Sequence, residues 1–334
     1  MLTRLWRNRK MAIAYYAHFH RPFPFDPDST WVRAVSFIDD LSASGIPALP
    51  RGPGSIDDFR RYMPGVSDAR FAHIFGQQAA EYWLYKRGPN SDFVGCSTYR
   101  RYLAIDEGHA YSNGRLITKT NPESMQALSS DIQKDAALFY LQSADVITNR
   151  STVLDTSIEQ QYLNSQPAVY WHLFIRGIEA LLPHYRPHLL WFRRYNVVSY
   201  ETTYIMRRKY FMRYAREFFA VLEYVFQHAK VVVPDEVEGV PHQHFRYPGF
   251  LGERFLPFFI YANGLRKIEV PGSSEIEIFC ASMMRGAEPA CDIQCYHSRR
   301  INPTIMLPDQ IARMAITPQA EPAALRSCAA RSHR

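Results

Sequence analysis

The sequence predicts an α/β domain, a mostly parallel sheet flanked by helices. Three observations point there. Residues 93–96 (FVGC) form a short apolar run of the kind buried on both faces of a parallel sheet. Residues 207–228 place Tyr210, Tyr214, Phe218, Leu222 and Val225 at spacings of three and four, with Arg207, Arg208, Arg213, Arg216 and Glu217 mostly between them. That is one apolar stripe on a long helix. Other short β-branched or aromatic runs, at 11–19 and 267–270, are separated by further helical segments.

In chain order, residues 11–19 (MAIAYYAHF) read as the first strand and end at His20, Arg21 and Pro22. A Pro-rich loop follows, then a second strand at 31–38. Residues 42–68 are rich in Gly, Pro, Ser and Asp and lack periodicity, which predicts a long surface loop. Good helix formers make 71–86 a helix, stopped by Gly88, Pro89 and Asn90. The strand at 92–97 comes next. Residues 104–137 are polar and irregular, with a short helix near 122–128, and 139–148 contains a strand ending at Val146 and Ile147. Asp155 or Thr156 caps a helix reaching Leu163. A second helix covers 168–182, broken by Pro183 and Pro187. Residues 196–206 (NVVSYETTYIM) read as one strand. After the long helix and a charged loop, a helix at 250–263 ends at Asn263 and Gly264. The domain therefore spans 11–283, between a basic extension at 1–10 and a flexible tail at 284–334.

Composition bounds the function. Of 334 residues, 47% are apolar and 14% aromatic, which argues against wholesale disorder. The net charge of +7 is partly local: Arg4, Arg7, Arg9 and Lys10 sit at one end, and Arg299, Arg300, Arg313, Arg326, Arg331 and Arg334 near the other. Basic ends suit peripheral contact with an anionic membrane surface, although solubility alone accounts for them. No nucleic-acid-binding module is visible. No run reaches the 18 or so apolar residues of a membrane span, and 11–17 is too short and too polar at its end for a signal peptide. Five cysteines, sparse and odd in number, fit a reducing cytoplasm. Cys291, Cys295 and His297 lack the spacing of a zinc site.

The chemistry concentrates at the end of the 92–97 strand, where the chain presents Thr98, Tyr99, Arg100, Arg101 and Tyr102. In open α/β sheets ligands bind beyond the carboxyl ends of the strands, and two guanidiniums there suit a phosphate or diphosphate. Helix capping or pairing with surface acids accounts for them equally. No Gly-rich nucleotide fingerprint, Walker loop or Ser elbow is present.

The stretch from Gly76 to Leu103 resembles the block "ELTALYW-WKN…SDYIGL-HYRRY" of a bacterial family of capsular and exopolysaccharide biosynthesis proteins. The match runs through Tyr82, Trp83, Lys86, Ser91, Asp92, Phe93, Val94, Gly95, Tyr99, Arg100, Arg101 and Tyr102. His20, Arg21 and Pro22, the segments 143–147 and 157–162, 201–206 and 246–260 are similar to further blocks of that family in the same order. The resemblance covers roughly residues 12–270. It implies a Rossmann-like, GT-A-like core and a glycosyltransferase using a nucleotide-sugar donor, a UDP-sugar first, and a glycan or lipid-linked acceptor. Three departures stand out. Gln77 replaces a Glu, Thr98 a His, and Thr202 an Asn.

On that resemblance His20, Arg21, Tyr99, Arg100 and Arg101 would hold the donor, and Gln77, Thr98, Thr202, His244 and Arg246 would line the acceptor or substrate side. Glu253, inside the matching block, is the candidate general base; dipole stabilisation or pairing with Arg254 is the alternative. No Asp-x-Asp pair follows the 92–97 strand, and Arg cannot ligate a hard cation, so no metal cofactor is expected. The literal Asp26, Pro27, Asp28 reads better as a turn, and Asp39 with Asp40 is a weak rival. Transfer of a phosphosugar or phosphoalditol, and a non-catalytic binding protein that keeps the fold, remain alternatives. The three departures motivate the second of these.

Overall fold

The computed structural model describes residues 11–19, 31–36, 46–98, 103–105, 111–112, 115–116, 130–198, 202–229, 246–270 and 305–306. In chain order the strands are β1 (Ile13–Phe19), β2 (Val32–Ser36), β3 (Phe93–Thr98), β4 (Tyr111–Ser112), β5 (Arg115–Leu116), β6 (Val146–Asn149), β7 (Thr152–Val153), β8 (Val197–Val198), β9 (Tyr204–Arg207), β10 (Lys267–Val270) and β11 (Ile305–Met306). The helices are α1 (Asp68–Phe75), α2 (Gln77–Arg87), α3 (Asp131–Tyr140), α4 (Ile158–Ser165), α5 (Ala168–Leu181), α6 (Arg186–Arg194), α7 (Arg208–Ala229) and α8 (Tyr247–Ala262).

Seven strands form the main sheet in the order β11-β10-β6-β9-β3-β1-β2. β2, β1 and β3 pair in parallel, as do β6 and β10. β9 runs against both neighbours, β3 and β6, and β11 runs against β10. The sheet is thus mostly parallel, as expected, with a reversed strand at its centre. β11 lies within the stretch assigned above to the tail.

One face of the sheet carries the larger core, where α2, α5, α7 and α8 meet. Phe218 of α7 stacks on Tyr214 and on Phe255, with ring centroids 5.9 and 5.8 Å apart. Each such fully buried aromatic contributes roughly 1.5–3 kcal/mol. The opposite face packs Trp31, Leu103, Ala137, Leu141 and Ile205. Tyr15 stacks on Trp31 at 4.8 Å, and a Cβ on Gly95 would lie 2.4 Å from Tyr15 Cδ2. Glycine there lets β1 and β3 pair beneath that ring.

Several expectations need correction. The 42–68 segment is no featureless loop: it holds a 3₁₀ helix, Ile56–Tyr62, with Ile56 and Phe59 buried. The 71–86 helix is two helices, broken at Gly76, whose φ of 52° is one an L side chain rarely adopts. α3 escapes periodicity because a polar residue faces the core while Ile132 and Phe139 face outward. Gln133 and Ala137 are buried, while Phe139 is 67% exposed. Ser157, not Asp155 or Thr156, caps α4, accepting from Gln160 N at 3.1 Å. Pro187 does not simply break a helix; it sits in the first turn of α6, where its missing N–H is no loss. The single strand at 196–206 is two, β8 and β9, belonging to different sheets. The helix near 122–128 lies outside the described residues.

Candidate functional site

β1, β2, β3, β6 and β10 all point their carboxyl ends the same way, and reversed β9 begins at that edge. His18 stands opposite Thr98 on the β1–β3 pair and is buried. β3 and β9 pair Cys96 with Tyr204. The ladder ends there: β3 runs two residues on to Thr98, and Thr202 lies two residues before β9, so both sit at this edge.

Thr202 is buried and has φ 43°. A β-branched residue in the left-handed region is strained by about 1–3 kcal/mol and persists only when its surroundings hold it. The holder is Gln77, in the first turn of α2. Its amide Nε2 donates to the Thr202 carbonyl at 2.8 Å and to Glu81 Oε1 at 3.1 Å. Gln77, Thr98 and Thr202 therefore gather at one edge of the sheet.

Arg246 reaches the same turn. A Cβ built on Gly76 would lie 3.4 Å from its Nη2, so the guanidinium crosses the residue that starts α2. Beyond it, a Cβ on Gly252 would lie 2.8 Å from Gln78 Nε2. Gly252 of α8 thus leaves room for the Gln78 side chain of α2.

Glu253 lies six residues beyond Tyr247, ~9 Å along the axis of α8. Its Oε2 pairs with Arg254 Nη1 at 3.3 Å. Arg254 is buried, donates to Phe250 O at 2.7 Å and to Gln161, and lies over the Tyr162 ring at 5.2 Å. Asp92 sits at the opposite end of the sheet, accepting from Ala12 N at 3.0 Å. Tyr82 belongs to the core, its hydroxyl donating to Asp58 at 2.7 Å. His20, Arg21, Tyr99, Arg100, Arg101 and His244 lie outside the described residues, as do Asp26, Asp28, Asp39 and Asp40. Among the described residues no group of three or more His, Cys, Asp or Glu comes together to hold a metal. No helix among them is long and apolar enough to cross a membrane.

Sequence reading missed Glu81. It is fully buried on α2, and burial pushes its carboxyl up to about 8, offset only in part by the Gln77 amide and the Tyr204 hydroxyl that face it. Burial, with Glu81 nearby, also holds the Cys96 thiol and the Tyr204 and Tyr214 hydroxyls well above their ordinary values. The run around it suits any helix and carries no signal of this. In the structure buried residues encircle α2, and Gln77, Gln78 and Glu81 are among them, so polar groups there must meet inside the protein.

The family model described as "Domain of unknown function (DUF4422)" matches residues 72–264. Among solved structures, the chain is similar to an apo structure of WbbM, described as a bifunctional glycosyltransferase, with a TM-score of 0.58 and 16% identity. That similarity covers 79% of this chain and 45% of the other, so the chain spans less than half the length of that structure. At this identity the likeness shows the fold, which is GT-A-like. No curated protein matches the chain.

Proposed function

We propose that this chain, which belongs to the family described as Domain of unknown function (DUF4422), is a glycosyltransferase. It moves a sugar from a nucleotide donor, a UDP-sugar first, to a glycan or lipid-linked acceptor in capsule or exopolysaccharide synthesis. The observation that carries this reading is the gathering of Thr98, Thr202, Gln77 and Arg246 at the carboxyl edge of a mostly parallel sheet. That edge is where open α/β sheets bind ligands.

In this reading Arg100 and Arg101, which directly follow β3, neutralise the donor diphosphate without a metal, aided by His20 and Arg21 after β1 and by Tyr99. Guanidinium forks match phosphate oxygens bidentately. Arg246, Gln77, Thr98, Thr202 and His244 line the substrate side. Glu253, paired with neighbouring Arg254, takes the acceptor proton. The protein works in the cytoplasm, its basic termini touching the anionic inner face of the membrane.

The test is thermal stabilisation by UDP, GDP, CMP and TDP, each with and without manganese. A ligand that binds only the folded chain raises the melting midpoint. The expected result is a shift with UDP that a chelator does not alter and that Arg100→Ala removes. A shift requiring manganese would overturn the metal-free part. One observation favours a binding-only reading: the Gln77 amide is committed to Glu81 and to the Thr202 backbone. Glu253→Gln separates the two, since it should abolish UDP release from a UDP-sugar while keeping the UDP shift.

A further inference from the structure

The carboxyl of Glu81 has no place in the chemistry above, yet it is fully buried in the core beside the site. Burying an acid among Cys96, Tyr204 and Tyr214 is costly, and such a group needs a hydrogen-bonded role to persist. Gln77 supplies the partner. The two residues are one helical turn apart, and the Gln77 NH₂ divides its two donors between Glu81 Oε1 and the Thr202 carbonyl. An amide has two donors on one side and an acceptor on the other. With Glu81 accepting one of them, the NH₂ is fixed toward the sheet and its second donor falls on Thr202.

We propose that Glu81 is a positioning residue: it orients the Gln77 amide, which clamps the left-handed Thr202 turn and so shapes the substrate edge of the site. The clamp stands on geometry alone, and what the turn serves rests on the glycosyltransferase reading. The observations agree at three points. Thr202 is the one described non-Gly residue with positive φ. Its carbonyl is held by a side chain from a distant helix. The group behind that side chain is an acid kept neutral by burial, facing Tyr204 of the very strand that Thr202 leads into. A neutral carboxyl accepts from Gln77 without bringing a full charge into the core, and Gln in its place would accept equally.

Two variants read the clamp. Glu81→Gln keeps an acceptor for Gln77, and Glu81→Leu fills the space without one. In hydrogen exchange followed by mass spectrometry, Glu81→Leu should make the peptide covering 200–206 exchange roughly tenfold faster, with α7 peptides unchanged. Glu81→Gln should keep wild-type protection. Unchanged protection in Glu81→Leu, or a loss spread equally over α7, would overturn the clamp. Should Glu81→Leu fail to fold, Gln77→Leu replaces it, with the same local loss expected and the same outcomes counting against the idea.

The link to substrate is read separately, as the melting shift given by UDP-glucose. It should persist in Glu81→Gln and shrink in Glu81→Leu. A full shift in Glu81→Leu would show the clamp to be unconnected with substrate. No shift in the wild type would count against the donor reading and leave the exchange data to decide the clamp.

Discussion

A single carboxyl makes the chain's stability depend on pH. Glu81 titrates near 4.5 when unfolded and near 8 in the fold, because burial disfavours its charge. Between those values the folded chain keeps a proton that the unfolded chain has released. Stability from this group is therefore complete below pH 4.5 and declines by ~1.4 kcal/mol for each pH unit crossed, until the decline ends near pH 8. Glu81→Gln removes the titration. Its melting midpoint should match the wild type at pH 4.5 and exceed it increasingly toward pH 8, as differential scanning calorimetry across that range would show. A constant difference at all pH values would mean that Glu81 is ionised in the fold. None of this was legible beforehand, since Glu81 sits in a run, QQAAEYWLYK, that suits any helix. Thr202 hid for a related reason. ETTYIM is rich in strand formers, and nothing in a Thr announces a positive φ.

At the scale of elements, legibility followed packing. α7 declared itself because its aromatic stripe faces one core along its whole length, and β3 because both its faces are covered. α3 did not, because it turns Gln133 inward and Phe139 outward. The α1–α2 break falls at Gly76, inside a run of helix formers that reads as one longer helix. Caps were found to within a residue or two: Ser157 holds the start of α4 where Asp155 or Thr156 was expected. Ser157→Ala should lower unfolding free energy by ~1 kcal/mol in urea titration. An unchanged midpoint would mean that tertiary contacts, not the cap, hold that end.

For the whole molecule, the α/β class and the mostly parallel sheet were readable from alternating short apolar runs and amphipathic helices. The order of the strands was not, because pairing between distant segments leaves little local trace. That order gives β9 a special place. It lies between β3 and β6 and runs against both, so it is the seam that joins a β2-β1-β3 half to a β6-β10 half. Neither half touches the other in the sheet without it. Closing that seam requires two long loops to be formed first, a cost in chain entropy that contacts repay only afterwards. The last step of folding should therefore be the insertion of this strand. Ile205→Ala, in a fully buried position of β9, should cost about 2–4 kcal/mol, and stopped-flow kinetics should show it almost wholly as faster unfolding. Slower refolding of equal size would place the strand early instead. The residue that leads into it, Thr202, is then among the last to reach its native conformation, and assembly of the sheet and assembly of the site become one kinetic event.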